Sequence, residues 1–200
     1  MLSFKKKLKD KFEISDKEIS EVLSHFKRYE ITKGTFLINE LQHEADLFYV
    51  SEGLLREFYF FEEDGSHIEN TTELLVKGDF YLEIDSFNPR GENKSAIHLQ
   101  ALTKSIVFKL DHTILKENLK SYHLNSFMWN TFFREILIER LSQLTRRRYI
   151  LNSSRKSLKR YYNFKEVFEK VSPELNDKLI ASYLGISQST LSIKDKRKKL

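Results

Sequence analysis

The run Leu179-Ile-Ala-Ser-Tyr-Leu-Gly-Ile-Ser-Gln-Ser-Thr-Leu-Ser192, near the C-terminus, decides the reading of this chain. Its small and apolar residues fall where two short, steeply crossed helices need them. Ala181 carries almost no side chain, so a second helix can approach the first closely. Gly185 can adopt the positive φ of a sharp turn between helices. Ile180, Leu184, Ile186 and Leu191 would form a small shared core, and Ser187 would cap the second helix. Gln188, Ser189 and Ser192 are polar, as expected of a helix that meets base edges in a major groove. The run is therefore expected to form a helix-turn-helix, although such hairpins also occur without DNA.

Working outward, the charge distribution agrees. The net charge is +5 over 200 residues, but it is divided unevenly. Residues 1–112 hold 15 basic against 21 acidic side chains, and residues 113–200 hold 19 against 8. A basic half containing a candidate helix-turn-helix is the electrostatic footprint of a polyanion binder. There is no cysteine, which removes disulfides and thiolate chemistry and suits a reducing cytoplasm. No apolar run is long enough to cross a bilayer. The basic start, Met1 to Lys9, lacks the apolar segment of a secretory signal.

The hydrophobic period changes along the chain. Residues 4–28 place Phe12, Ile19, Val22, Leu23 and Phe26 at helical spacing. From Glu30 to Leu110 short apolar or alternating stretches predict strands at 35–38, 47–50, 54–61, 67–75, 96–102 and 106–110. Turn signals separate them, with Asp64-Gly65 a good hairpin turn. Many short strands of this kind predict an antiparallel jelly roll. A helix free of Gly and Pro is expected from about His112 or Ser121 to Leu151. Its apolar residues come in pairs (Phe127/Met128, Phe132/Phe133, Ile136/Leu137), followed by Leu141 and Leu144. The pairs fit either two buried faces, one for a partner helix, or one broad stripe in a thick core. A basic junction follows (Arg146, Arg147, Arg148, Arg155, Lys156, Lys159, Arg160), then a helix over Tyr161–Val171 that ends at Ser172-Pro173.

This order of parts resembles the Crp–Fnr family of bacterial transcription regulators. The resemblance rests on Lys33-Gly34, on Leu47-Phe-Tyr-Val-Ser-Glu-Gly53, on Lys77-Gly-Asp-Phe80, and on Arg160-Tyr-Tyr-Asn-Phe164 leading through Pro173-Glu-Leu175 into the opening run. It implies an α+β fold. Residues 1–112 would form a jelly-roll-like β-roll sensor with an N-terminal helix, 113–151 a dimerisation helix, and 152–200 a helix-turn-helix domain. It also implies double-stranded DNA, a second copy of the chain and RNA polymerase as partners, with no membrane. In cyclic-nucleotide-binding members a cassette supplies a Glu for the ribose and an Arg-Ser pair for the cyclic phosphate. The matching positions are Glu83, Lys94 and Ser95. Leu82 stands where a Gly would admit the ligand, and Lys94 lacks the planar two-pronged donor of an arginine. These departures point to a small effector other than cyclic AMP, or to none.

Expected DNA contacts are Ser187, Gln188, Ser189, Thr190, Ser192 and Lys194, with phosphate contacts from the basic junction and the Lys194–Lys199 tail. Relatives commonly continue Thr-Leu-Ser with an arginine and then an apolar residue. Here Ser192 is followed directly by Ile193, which turns that apolar side chain about 200° from Leu191 on a regular helix. His67, Glu69 and His98 could suit a cupin-type metal site, but the close His-x-His pair is missing, so no metal is assigned. No catalytic triad or nucleotide-binding glycine loop occurs, and no enzyme activity is expected. Tyr49 and Phe58–Phe61 are assigned to the core. The competing reading is a sensor or interaction module of the same build that has lost sequence-specific DNA binding.

Overall fold

The computed structural model describes residues 2–11, 15–39, 46–83, 97–120 and 126–191. Two short helices open the chain, α1 (Leu2–Lys11) and α2 (Asp16–Ser24). Ser15 starts α2 with a full capping box: its side chain accepts from the Glu18 amide, and the Glu18 carboxylate accepts from the Ser15 amide at 2.7 Å. That cap divides what the apolar spacing suggests as one helix. Ile19, Val22, Leu23 and Phe26 are buried as expected, while Phe12 lies outside the described residues.

Eight strands follow among the described residues: β1 (Lys27–Ile31), β2 (Phe36–Ile38), β3 (Leu47–Glu52), β4 (Leu54–Glu63), β5 (Ser66–Val76), β6 (Phe80–Tyr81), β7 (Ile97–Ala101) and β8 (Ser105–Leu110). They form two antiparallel four-stranded sheets, ordered β1-β8-β3-β6 and β2-β7-β4-β5. Ile38, Val50, Leu55, Leu75, Leu99 and Val107 interdigitate between the sheets. Six of the strands are legible from short apolar or alternating stretches. β1 is not, because four of its five residues are exposed and charged or polar. β6 is two residues long, below any periodicity. The β4–β5 hairpin turns at Asp64 and Gly65, both at positive φ, as expected. At Gly53, between β3 and β4, a Cβ would collide with Ser105 across the sheet, so glycine is required by close approach.

Helices cover the outer face of the first sheet. Of the two expected starts of the long helix, His112 opens a separate helix, α3 (His112–Leu119), while α4 (Ser126–Asn152) agrees with the later one. Phe4, Leu8, Ile19, Val22, Tyr49, Phe80, Phe108, Trp129, Phe132 and Ile136 make one core there, with Phe4 stacked on Tyr49 at 4.0 Å. The second sheet carries the C-terminal part. α5 (Ser157–Val167), a 3-10 turn at Ser172–Glu174 and α6 (Asp177–Leu184) pack on Leu54 and Leu74 of β4 and β5. Tyr49 and Phe58 are core residues as assigned. Phe60 and Phe61 are not: they are exposed on the projecting hairpin, past the point where sheet packs on sheet.

Candidate functional site

The opening run folds as its residue types require. Asn176 caps α6 by accepting from the Leu179 amide at 2.8 Å. Gly185 ends it at φ 58°, ψ 45°. The Gly185 and Ile186 amides reach back to the Ser182 and Ala181 carbonyls at 3.2 and 3.0 Å, the double closure of a left-handed helix end. Arg160 of α5 adds a bond to the Leu184 carbonyl at 3.1 Å. Ser187 then accepts from the Thr190 amide, and residues 188–191 are helical. Ile180, Ala181, Leu184 and Leu191 are buried and Ile186 is packed against them, which is the shared core expected from sequence. Ser187, Gln188 and Ser189 are exposed, and Thr190 is half-buried with its hydroxyl 2.6 Å from that of Ser187. Ser192 and Lys194 lie outside the described residues, as does the Lys194–Lys199 tail.

Around this turn the basic junction is only partly on the surface. Arg148, Arg155, Lys156 and Lys159 are exposed. Arg147, expected among the phosphate contacts, is buried instead. Its guanidinium bonds to Glu73 and to the Leu74 carbonyl of β5, reaches Asp79 at 2.6 Å, and stacks over Phe168. Burial opposes its charge, but Asp79 and Glu73 outweigh that and hold it above its ordinary value. One turn and two turns back along the same face of α4 lie Gln143 and Arg140. Gln143 donates to Asp79 at 3.1 Å, and Arg140 pairs with Glu73 and, at 3.5 Å, with Glu57. Arg140 also lies over the Tyr81 ring. Glu73 is 1 % exposed, and burial pushes its carboxyl above the usual range against the pull of both arginines. Sequence reasoning missed this network. A signal was present, since the stripe 129, 132, 136 continues at helical spacing through 140, 143 and 147 while turning from apolar to charged.

The opposite face of α4 is unlike a solvated one. Phe127, Ile138, Leu141 and Tyr149 are 83, 51, 53 and 75 % exposed. Ile138 and Leu141 are three residues apart and Tyr149 lies about two turns further on, so they share one side of the helix. Each apolar pair is thus divided unequally: Met128, Phe132 and Ile136 are buried on the β-roll, while Phe127 points away and Phe133 and Leu137 sit at its margin.

In the presumed effector cassette, Glu83 is buried and its carboxylate accepts from the Tyr81 hydroxyl at 3.1 Å. Burial, Glu57 and Glu83 push the Tyr81 phenol well up, so it remains a donor. Leu82 is buried in the core against α4. Lys94 and Ser95 lie outside the described residues. Elsewhere, Glu69 is ion-paired with Arg56, and His98 is enclosed by Phe36, Phe58 and Phe60, so His67, Glu69 and His98 do not form one ligand set. Asp46, Asp111 and His112 approach one another, yet the Lys109 ammonium sits on Asp46 at 2.7 Å and the Asp111 carboxylate caps α3. Among the described residues no helix is long and apolar enough to cross a membrane.

No family model and no curated sequence matches the chain. Solved structures do. CLP of Xanthomonas campestris, a c-di-GMP-responsive global regulator, aligns over 92 % of both chains at 18 % identity with a TM-score of 0.64. A crp/fnr-family transcriptional regulator from Eubacterium rectale aligns over 92 % of this chain and 82 % of its own, at 18 % identity and a TM-score of 0.62. FixK2 from Bradyrhizobium japonicum covers 86 % of this chain and 83 % of its own, at 14 % identity and a TM-score of 0.59. These likenesses give the chain the fold of the Crp–Fnr transcription regulators.

Proposed function

We propose that this chain is a homodimeric, DNA-binding transcription regulator of the Crp–Fnr type. The observation that carries the reading is the α6–Gly185–Ser187 turn: a capped helix, a left-handed glycine and a second helical start whose first residues, Gln188 and Ser189, face solvent. Two steeply joined helices with the second one's N-terminus exposed are what major-groove reading needs. Gln188 and Ser189 are the base-reading residues, with Thr190, Ser192 and Lys194 beside them. Ser187 acts as the cap. Arg148, Arg155, Lys156 and Lys159 supply phosphate contacts that orient without reading sequence.

The dimer forms along the exposed line of α4 through Phe127, Ile138, Leu141 and Tyr149. Such a line on a 27-residue helix fits a second copy packed in parallel. Residues 1–112 sense, 113–151 pair the chains and 152–200 bind DNA. Two features disfavour cyclic AMP as the effector: the Glu83 carboxylate that would take a ribose hydroxyl accepts from Tyr81, and Leu82, buried in the core against α4, stands where a glycine would admit the ligand. RNA polymerase is the partner of the DNA-bound dimer.

The test is fluorescence anisotropy with random duplex DNA at several salt concentrations. Binding that weakens steeply with salt supports a regulator. No binding at low salt overturns it and favours the module that has lost DNA binding. Native mass spectrometry of the purified protein identifies any retained effector.

A further inference from the structure

β5 is the last strand of its sheet, so one edge meets no other strand among the described residues. An edge strand presents N–H and C=O groups that need partners once another element covers them. Here α6 covers it. The Ser182 hydroxyl accepts from the Thr71 amide at 2.8 Å and donates to the Glu69 carbonyl at 3.0 Å. A single side chain therefore supplies the donor and the acceptor that a residue of a neighbouring parallel strand, set opposite Asn70, would supply. Thr71 is buried beneath this contact, and Leu54 and Leu74 share one core with Leu179, Ile180, Tyr183 and Leu184. Two residues further on, Glu73 of the same strand is gripped by Arg140 and Arg147 of α4. Within five residues β5 is thus fastened to α6 and to α4.

We infer that Ser182 is a positioning residue for DNA binding: its hydroxyl pins α6 to the free edge of β5 and so fixes where the Gly185 turn presents Gln188 and Ser189. Ser182 does this without belonging to the DNA-facing set, because its hydroxyl is spent on the β5 backbone while Ser187, Gln188 and Ser189 are exposed beyond the turn. The pinned pose leaves those residues exposed to solvent. A shift of β5 moves the recognition residues with it, and by linkage DNA held by them steadies β5.

The inference rests on the DNA-binding reading, and its test separates the two. Ser182→Ala removes both bonds while placing a better helix former in α6, so weaker helix formation cannot explain a loss. Ser182→Thr keeps the hydroxyl. In the full-length protein without DNA, hydrogen exchange at the Thr71 amide is expected to quicken roughly five- to tenfold in S182A, the equivalent of one hydrogen bond, and to stay near wild type in S182T. With random duplex DNA, S182A binds about as many fold more weakly, with an unchanged salt slope because every phosphate contact is kept. S182T binds as wild type does. Added DNA slows Thr71 exchange in the wild type. Equal Thr71 exchange in wild type and S182A overturns the pin. Equal DNA affinity of the two overturns the role of Ser182 alone, whereas a wild type that binds no DNA overturns the DNA-binding reading and with it that role.

Discussion

Replacing Arg147 with Met tests whether the long helix is fastened to the β-roll by the buried ion network. Methionine is close in length and apolar, so the perturbation is chiefly the loss of a guanidinium that touches Glu73, Asp79 and the Leu74 carbonyl. Removing one partner from a buried pair costs about 3–5 kcal/mol, because the charges left behind are uncompensated. Two features place this variant at the lower end. Glu73 keeps Arg140, and Asp79 keeps the Val76 amide at 2.9 Å and Gln143 at 3.1 Å. A loss of about 3 kcal/mol in a chain of this length lowers the melting temperature by roughly 6–12 °C. Arg147→Lys should recover part of it, since an ammonium can reach one carboxylate but not both with a planar fork. Arg148→Met, one position along and exposed, should move stability by about 0.5 kcal/mol or less. The assay is urea and thermal unfolding followed by circular dichroism at pH 7. A change below about 1 kcal/mol for R147M, or equal changes for Arg147 and Arg148, refutes the assignment and returns Arg147 to the surface set.

Burial raises the Glu73 carboxyl, so in the folded state it holds its proton to higher pH than in the unfolded chain. Its stabilising contribution is full below the ordinary carboxylate value and is lost as pH rises through the folded value. Wild type should therefore lose stability relative to Glu73→Gln as pH rises from about 4.5 towards 7; a wild type that gains relative to E73Q contradicts this. Gly185→Ala introduces a Cβ that meets nothing within 4 Å, so only the backbone conformation is penalised, by about 1–2 kcal/mol; Gly185→Asn should recover part of it in thermal unfolding. Ile138→Lys with Leu141→Lys, both half-exposed, should leave the monomer folded and raise the dimer dissociation constant on the order of a hundredfold or more in analytical ultracentrifugation. Arg155→Ala with Lys156→Ala should reduce the salt slope of DNA binding by about 0.9 for each phosphate no longer neutralised and weaken all sequences alike.

The legible parts of the fold were those where local chemistry and tertiary packing agree. A short apolar run marks β3, which is buried on both faces, and apolar or alternating stretches mark β4, β5, β7 and β8; Ala181, Gly185 and Ser187 mark the C-terminal turn because each answers a local requirement there. β1 was illegible since its exposed residues, Lys27 to Glu30, carry no apolar period. The end of α3 at Lys120 has no Gly or Pro to announce it, which is why the sequence leaves the start of the long helix open between His112 and Ser121. Arg147 misled because a basic triplet looks the same on paper whether it faces phosphates or carboxylates. Its partners Glu73 and Asp79 lie about seventy residues away, and no local pattern joins them. Ser182 was hidden for the same reason: its partners are backbone groups of β5, which leave no mark in side-chain chemistry.

The central claim is that two copies of this chain, joined along α4, present two copies of the same recognition element to DNA. Selection of sites from a pool of random duplexes, with the purified full-length protein, tests it most directly. The account predicts enrichment of a two-fold symmetric sequence whose half-sites are centred about one helical turn apart, roughly 10–10.5 base pairs. Enrichment of a single asymmetric half-site, or of nothing above the starting pool, would contradict it.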